Sequence, residues 1–225
     1  MAAHAAPQRL HREESDVAAR LAAHGLAGID LPAICVEGFK AALAQHSPFD
    51  PVTAFGYQRW AKIVEALRRA LDQRSWQSFD DEGAARSLSP HGQIVIAAVG
   101  GDEATGTGRQ PSNARAKGRV LERETRDNAE ALSLSPTQQV LFDSRFLGED
   151  AVLRGRQTWI LLYFWDKAAH SIRCELSLPV DLEDGKVTRW AERIILPPAS
   201  LTDVVLDEAL SGQPDDDVDF EIRAI

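Results

Sequence analysis

One stretch constrains the fold more than any other: Trp159 to Trp165 reads Trp-Ile-Leu-Leu-Tyr-Phe-Trp. The run is too short to cross a bilayer and is apolar on both alternating faces, so it predicts a central strand covered on each side. The pattern then changes. Ile172, Cys174, Leu176, Leu178 and Val180 alternate with Arg173, Glu175, Ser177 and Pro179, the period of a strand with one wet face. Pro179 lacks the N–H a ladder needs and favours an edge or a strand end. Asp184-Gly185 is a hairpin signal ahead of Val187 to Leu196, which stops at Pro197-Pro198. Three strands joined by short turns make an antiparallel meander, and Val218 to Ile222 is read as a short edge strand.

The first half carries helical spacing instead. Ser15 precedes Val17, Arg20 and Leu21, and Gly25 follows as a stop. Asp30 is placed to cap a second helix with Pro32 in its first turn, running through Phe39, Ala42 and Leu43 towards His46. Ser47-Pro48 and Asp50-Pro51 break the chain. Trp60, Ile63, Val64, Leu67, Ala70 and Leu71 then mark one face of a third helix, with Arg59, Lys62, Glu65, Arg68 and Arg69 mostly on the other. That helix ends before Trp76, and Asp80, Asp81 and Gly83 read as a polar connection. Ile94 to Val99 is a short buried strand. Helices first and strands later predict an α+β fold, with a helical N-terminal part packed on a mainly antiparallel sheet formed largely by the C-terminal third.

A chain of 225 residues, 44% hydrophobic, buries enough surface for one domain without metals or disulfides. Its expected organisation is a mainly helical part ending in a buried strand over 1–100, a mobile basic insertion over 101–137, the sheet over 138–202, and an acidic tail over 203–225. The insertion is expected to be mobile because its 37 positions hold only Val120, Leu121, Leu132 and Leu134 as large aliphatic residues and no aromatic ring; a transient helix is expected from Arg119 to Leu132. The tail carries eight acids against Arg223, so most of the net charge of −9 belongs to it. No apolar run is long enough for a membrane span and the N-terminus lacks a signal-peptide layout, so a soluble, cytoplasmic protein is expected. Cys35 and Cys174 read as buried thiols.

Most catalytic signatures are missing. The six histidines are scattered, no Cys-x-x-Cys or Gly-x-Ser-x-Gly occurs, and Gly100, Gly101, Gly106 and Gly108 lack the lysine and third glycine of a phosphate loop. No metal or other cofactor is expected. Glu175, Asp184 and Lys186 resemble in spacing the acidic pair and Asp-x-Lys of restriction-endonuclease-type nucleases, in which carboxylates hold a divalent ion. Here, however, Asp184-Gly185-Lys186 falls at the expected turn. Two binding features remain. Arg109, Arg115, Lys117, Arg119, Arg123 and Arg126 outweigh Glu122 and Glu124 in one stretch and are candidates for nucleic-acid phosphates. Gln138, Leu141 and Phe142, in Gln-Gln-Val-Leu-Phe, resemble the short peptide by which bacterial replication and repair proteins dock on the sliding clamp. That resemblance implies a protein partner met by Gln138 and the Leu141-Phe142 pair. The function expected first is a non-catalytic interaction or adaptor protein, with a DNA-associated assembly as its setting. A nucleic-acid accessory protein and a metal-dependent hydrolase or nuclease are the alternatives. Trp159, Trp165 and Trp190 fit either a homodimer interface or a monomer core.

Overall fold

The computed structural model of the protein describes residues 8–133 and 156–201. The first of three N-terminal helices, α1 (Glu14–Ala23), follows a short strand β1 (Arg9–His11). In α2 (Leu31–Gln45) the cap is as expected: the Asp30 carboxylate accepts from the Ala33 N–H at 2.9 Å. Helix α3 (Ala54–Asp72) packs along α2. Gly38 makes that approach feasible, because a Cβ there would lie 2.5 Å from the Ile63 Cα.

The remaining elements are β2 (Gln77–Asp81), β3 (Ala84–Leu88), β4 (Ile94–Gly100), α4 (Arg119–Ser133), β5 (Gln157–Asp166), β6 (Ser171–Glu183), β7 (Lys186–Ile195) and β8 (Ala199–Ser200). The strands form one sheet in the order β1-β7-β6-β5-β4-β3-β2, with β8 pairing the start of β6. Only β1–β7 and β4–β5 run parallel, so the chain is α+β with a mainly antiparallel sheet. Asp184 and Gly185, both at positive φ (49° and 74°), close the β6–β7 hairpin, the mirror-image turn that matches strand twist. The polar connection expected around Asp80 is instead the hairpin β2–β3, whose sequences are too polar and small-residue-rich to announce strands.

Both faces of the sheet are covered. Trp159, Leu161, Tyr163 and Trp165 point from β5 into the main core with Cys174, Leu176 and the residues of α1 to α3. Ile160 and Leu162 point the other way, into a smaller core with Val99, Leu121, Val187 and Trp190. Trp159, Trp165 and Trp190 are therefore core residues of the chain itself. Cys35 and Cys174 are both buried and meet across the α2–β6 interface, where the hydrogen bond to Cys35 and burial push the Cys174 thiol up.

Three expectations for this second face are corrected. As far as Pro179, strand β6 has no wet face: Glu175, Ser177 and Pro179 are buried. The reason is the segment after Gly101, expected to be mobile, which lies along β6 and β7 and continues into α4. It is held by polar contacts rather than by aliphatic burial. Arg173 donates to the carbonyls of Thr105 and Glu103 at 2.9 and 3.0 Å, and the Trp190 indole N–H donates to Pro111 O at 2.8 Å. Asn113 donates to Gly185 O and accepts from Val187 N–H, both at 2.8 Å. A count of aliphatic residues is blind to this mode of attachment. Pro179, expected at an edge or a strand end, sits inside β6 at a register shift where it pairs with Trp190 of β7, just beyond the last β5–β6 pair, Ile160 with Ser177, and Asn128 of α4 supplies hydrogen bonds where that ladder stops. It donates to the carbonyls of Thr158 and Pro179 and accepts from Thr158 N–H, all at 2.9 Å. The strand expected at Val218 to Ile222 lies outside the described residues.

Candidate functional site

The nuclease-like trio does not assemble. Glu175 lies eight residues before Glu183 on β6, so at about 3.3 Å per residue it is roughly 25 Å from the hairpin that carries Asp184 and Lys186. Its carboxylate is fully buried and bound by Arg193 at 2.9 and 2.6 Å, with further donors in Gly106 N–H at 2.9 Å and the Ser177 hydroxyl at 2.7 Å. Arg193 spends its other N–H groups on the carbonyls of Arg109 and Thr107, at 2.9 and 3.1 Å. Lys186 donates to Asn113 O at 2.7 Å and to Ala114 O, and burial lowers its pKa. These groups pin the 101–118 segment to the sheet. Among the described residues, no three His, Cys, Asp or Glu side chains stand together as a metal site would need.

The basic residues are likewise divided. Arg109 pairs with Glu103 at 3.2 Å, near β6 and β7. Arg119 and Arg123 sit on α4 and pair with Glu82, at 3.2 and 3.4 Å, and Arg123 also with Asp81. Arg115 and Lys117 are engaged too, and Arg126 is exposed on α4. The stretch is thus spread over a pinned loop and a helix, and much of its charge is answered by acids of the β2–β3 turn. Gln138, Leu141 and Phe142 lie outside the described residues, as does the acidic tail.

A different feature stands out on the surface. The connection between α2 and α3, where prolines break the chain, carries Phe49 at 95% exposure, with Val52 and Tyr57 also exposed. Local chemistry holds it in shape. The Asp50 carboxylate accepts from Ser47 N–H at 3.0 Å and from the Gln58 amide at 3.3 Å, and Asp50 N–H donates to Ser47 O at 2.9 Å. Ala54 N–H donates to Pro51 O at 2.8 Å. Beneath, Phe55 is locked into an aromatic cluster with Phe39 at 5.7 Å, His46 at 5.4 Å and Trp165 at 6.2 Å. The backbone is therefore fixed while the Phe49 ring stands in water. Burying such a ring elsewhere is worth about 1.5–3 kcal/mol, and a rigid aromatic presents that area at little entropic cost. Periodicity could not flag Phe49, because it belongs to neither helix; the signal available was an aromatic residue inside a proline-punctuated break.

No helix among the described residues is long and apolar enough to cross a membrane. No protein-family model, no curated protein and no solved structure matches this chain.

Proposed function

We propose that this chain is a non-catalytic interaction protein that docks another protein, and that the α2–α3 connection is its contact. The observation that carries the reading is Phe49: an aromatic side chain almost wholly in water, on a backbone fixed by the Asp50 hydrogen bonds and the Phe55 cluster. Interface energy concentrates in such anchors, which fill apolar pockets on a partner. Further support comes from the nuclease-like trio Glu175, Asp184 and Lys186, of which Glu175 and Lys186 are committed to holding the fold. The DNA-associated setting rests on the clamp-like peptide Gln138 to Phe142 alone, which would be a second contact.

The test places a photo-crosslinking amino acid at position 49 of the full chain in host lysate, with position 132, an exposed site on α4, as control. The expected outcome is one protein captured from position 49 and not from 132, and lost on Val52→Asp. Purified Phe49→Asp should keep the wild-type unfolding free energy within about 0.5 kcal/mol, since the residue is exposed, and should lose that partner. Equal capture at both positions would sink the assignment. If the Leu141→Ala, Phe142→Ala variant loses the partner while Phe49→Asp retains it, the contact belongs to the clamp-like peptide instead.

A further inference from the structure

An open apolar groove of about 700 Å³ lies between α1, the first turns of α2 and the segment that follows β7. Leu21, Ile29, Pro32 and Val36 line it partly exposed, and Pro197 and Pro198 stand exposed at its wall. Its one charged group among the described lining residues is Asp30, whose carboxylate is engaged by the Ala33 N–H as the α2 cap. Three of the lining residues are prolines, which carry no N–H, so an apolar group can cover this wall without stranding a donor there.

The Phe49 tip has the same chemistry in relief. Pro48, Phe49, Pro51, Val52, Thr53 and Tyr57 are exposed and uncharged. Between residues 41 and 58, with histidine neutral, the one formal charge is Asp50, whose carboxylate is taken up by Ser47 N–H and Gln58. In a chain that is 26% charged, so long a neutral stretch at the surface suits an equally neutral receptor. Tip and groove lie at opposite ends of α2, whose 15 residues span roughly 22 Å. The tip backbone is fixed, so a molecule cannot fill its own groove, whereas two copies with their α2 helices antiparallel bring each tip to the groove of the other.

We propose that the partner met by Phe49 is a second copy of this chain, in a two-fold dimer in which each Phe49 ring enters the other copy's groove against Pro32, Val36 and Pro198. This rests on the reading of Phe49 as the protein contact and names its partner. Closed two-fold pairs are the commonest homo-oligomers, because one self-complementary patch serves both subunits. Here the patch is a tip and a groove joined by α2, and reciprocal insertion doubles the apolar area that one tip covers.

Sedimentation equilibrium of the full chain reads the assembly, with Phe49→Asp removing the tip and Pro198→Asp the groove. Both positions are exposed, so both variants keep the fold, which circular dichroism checks. Wild type should show a dimer in concentration-dependent equilibrium with monomer. In either variant alone the dissociation constant should rise at least about a hundredfold, because both rings leave their grooves and each is worth about tenfold or more. An equimolar mixture of the two variants should recover part of the association as a one-to-one heterodimer, since it pairs one intact tip with one intact groove. A photo-crosslinking amino acid at position 49 of the purified chain should attach to residues 29–36 or 196–200 of the other copy. A monomer at every concentration, a mixture no tighter than the variants alone, or either variant dimerising as tightly as wild type would each overturn the proposal. Capture of a different protein from lysate at position 49, with the purified chain monomeric, overturns only the second-copy assignment; no capture in either setting removes the Phe49 contact itself.

Discussion

Glu175 and Arg193 show how much one ion pair can organise when both partners leave water together. The pair fastens β6 to β7, and its remaining bonding capacity fixes Gly106, Thr107 and Arg109 above them. Removing one charge strands the other in the interior, which typically costs about 3–5 kcal/mol. Glu175→Gln is therefore expected to lower the unfolding free energy by that order, read from urea midpoints. Exchanging both residues for apolar ones should not restore it, because the Gly106 N–H and two loop carbonyls would still lack partners. His24 gives a prediction of opposite character. Buried against Trp159, its imidazole has a pKa of about 4 in the folded chain against the ordinary 6.5 of a histidine in water, so the unfolded chain takes up the proton first. Stability from this residue is complete above pH 6.5 and is lost as pH falls towards 4, by roughly 3 kcal/mol in all. The gap in urea midpoint between pH 7.5 and pH 4.5 should narrow in His24→Phe; an unchanged gap would show that other groups set the acid limit.

Among the elements, α4 is the instructive one. Its buried side is Val120, Leu121, Glu124, Thr125, Asn128 and Ala131, at helical spacing but half polar. Glu124 receives Arg86 of β3 through two hydrogen bonds of 2.8 Å, and Asn128 repairs the ladder at Pro179. Asn128→Ala leaves three buried backbone groups of Thr158 and Pro179 short of a partner. A loss of about 2–4 kcal/mol is expected, together with faster amide exchange at Thr158; normal protection there would mean that water replaces the side chain. Elements with an apolar period were legible in the sequence: α2 with its Asp30 cap, α3, β4, β5 and the β6–β7 hairpin. Strands β2 and β3 were not, because Gln-Ser-Phe-Asp-Asp and Ala-Ala-Arg-Ser-Leu become strands by pairing with each other and with β4. The candidate sites were less legible still. Phe49 lies between α2 and α3, where no apolar period reaches.

At the scale of the whole molecule, the sheet is a two-sided partition. One side is closed by α1 to α3 through apolar contact, the other by the 101–118 segment and α4, largely through hydrogen bonds and ion pairs. Replacing residues 102–132 by a short glycine-serine linker would uncover Ile160, Leu162 and Trp190 together with the Glu175–Arg193 pair. The truncated chain is expected to lose cooperative unfolding and to bind a hydrophobic dye; a sharp transition near the wild-type midpoint would show this cover to be dispensable. The sequence by itself determined the central strand, the helical start and the α+β class, since those follow from the period of apolar residues, a local property written along the chain. Only the tertiary structure decided that the polar side of β6 is interior, that Arg109 to Arg126 is divided between a pinned loop and a helix, and that Phe49 is left in water. Each of these depends on which polar groups meet across large sequence separations, and hydrogen bonds between distant residues leave no periodicity to read.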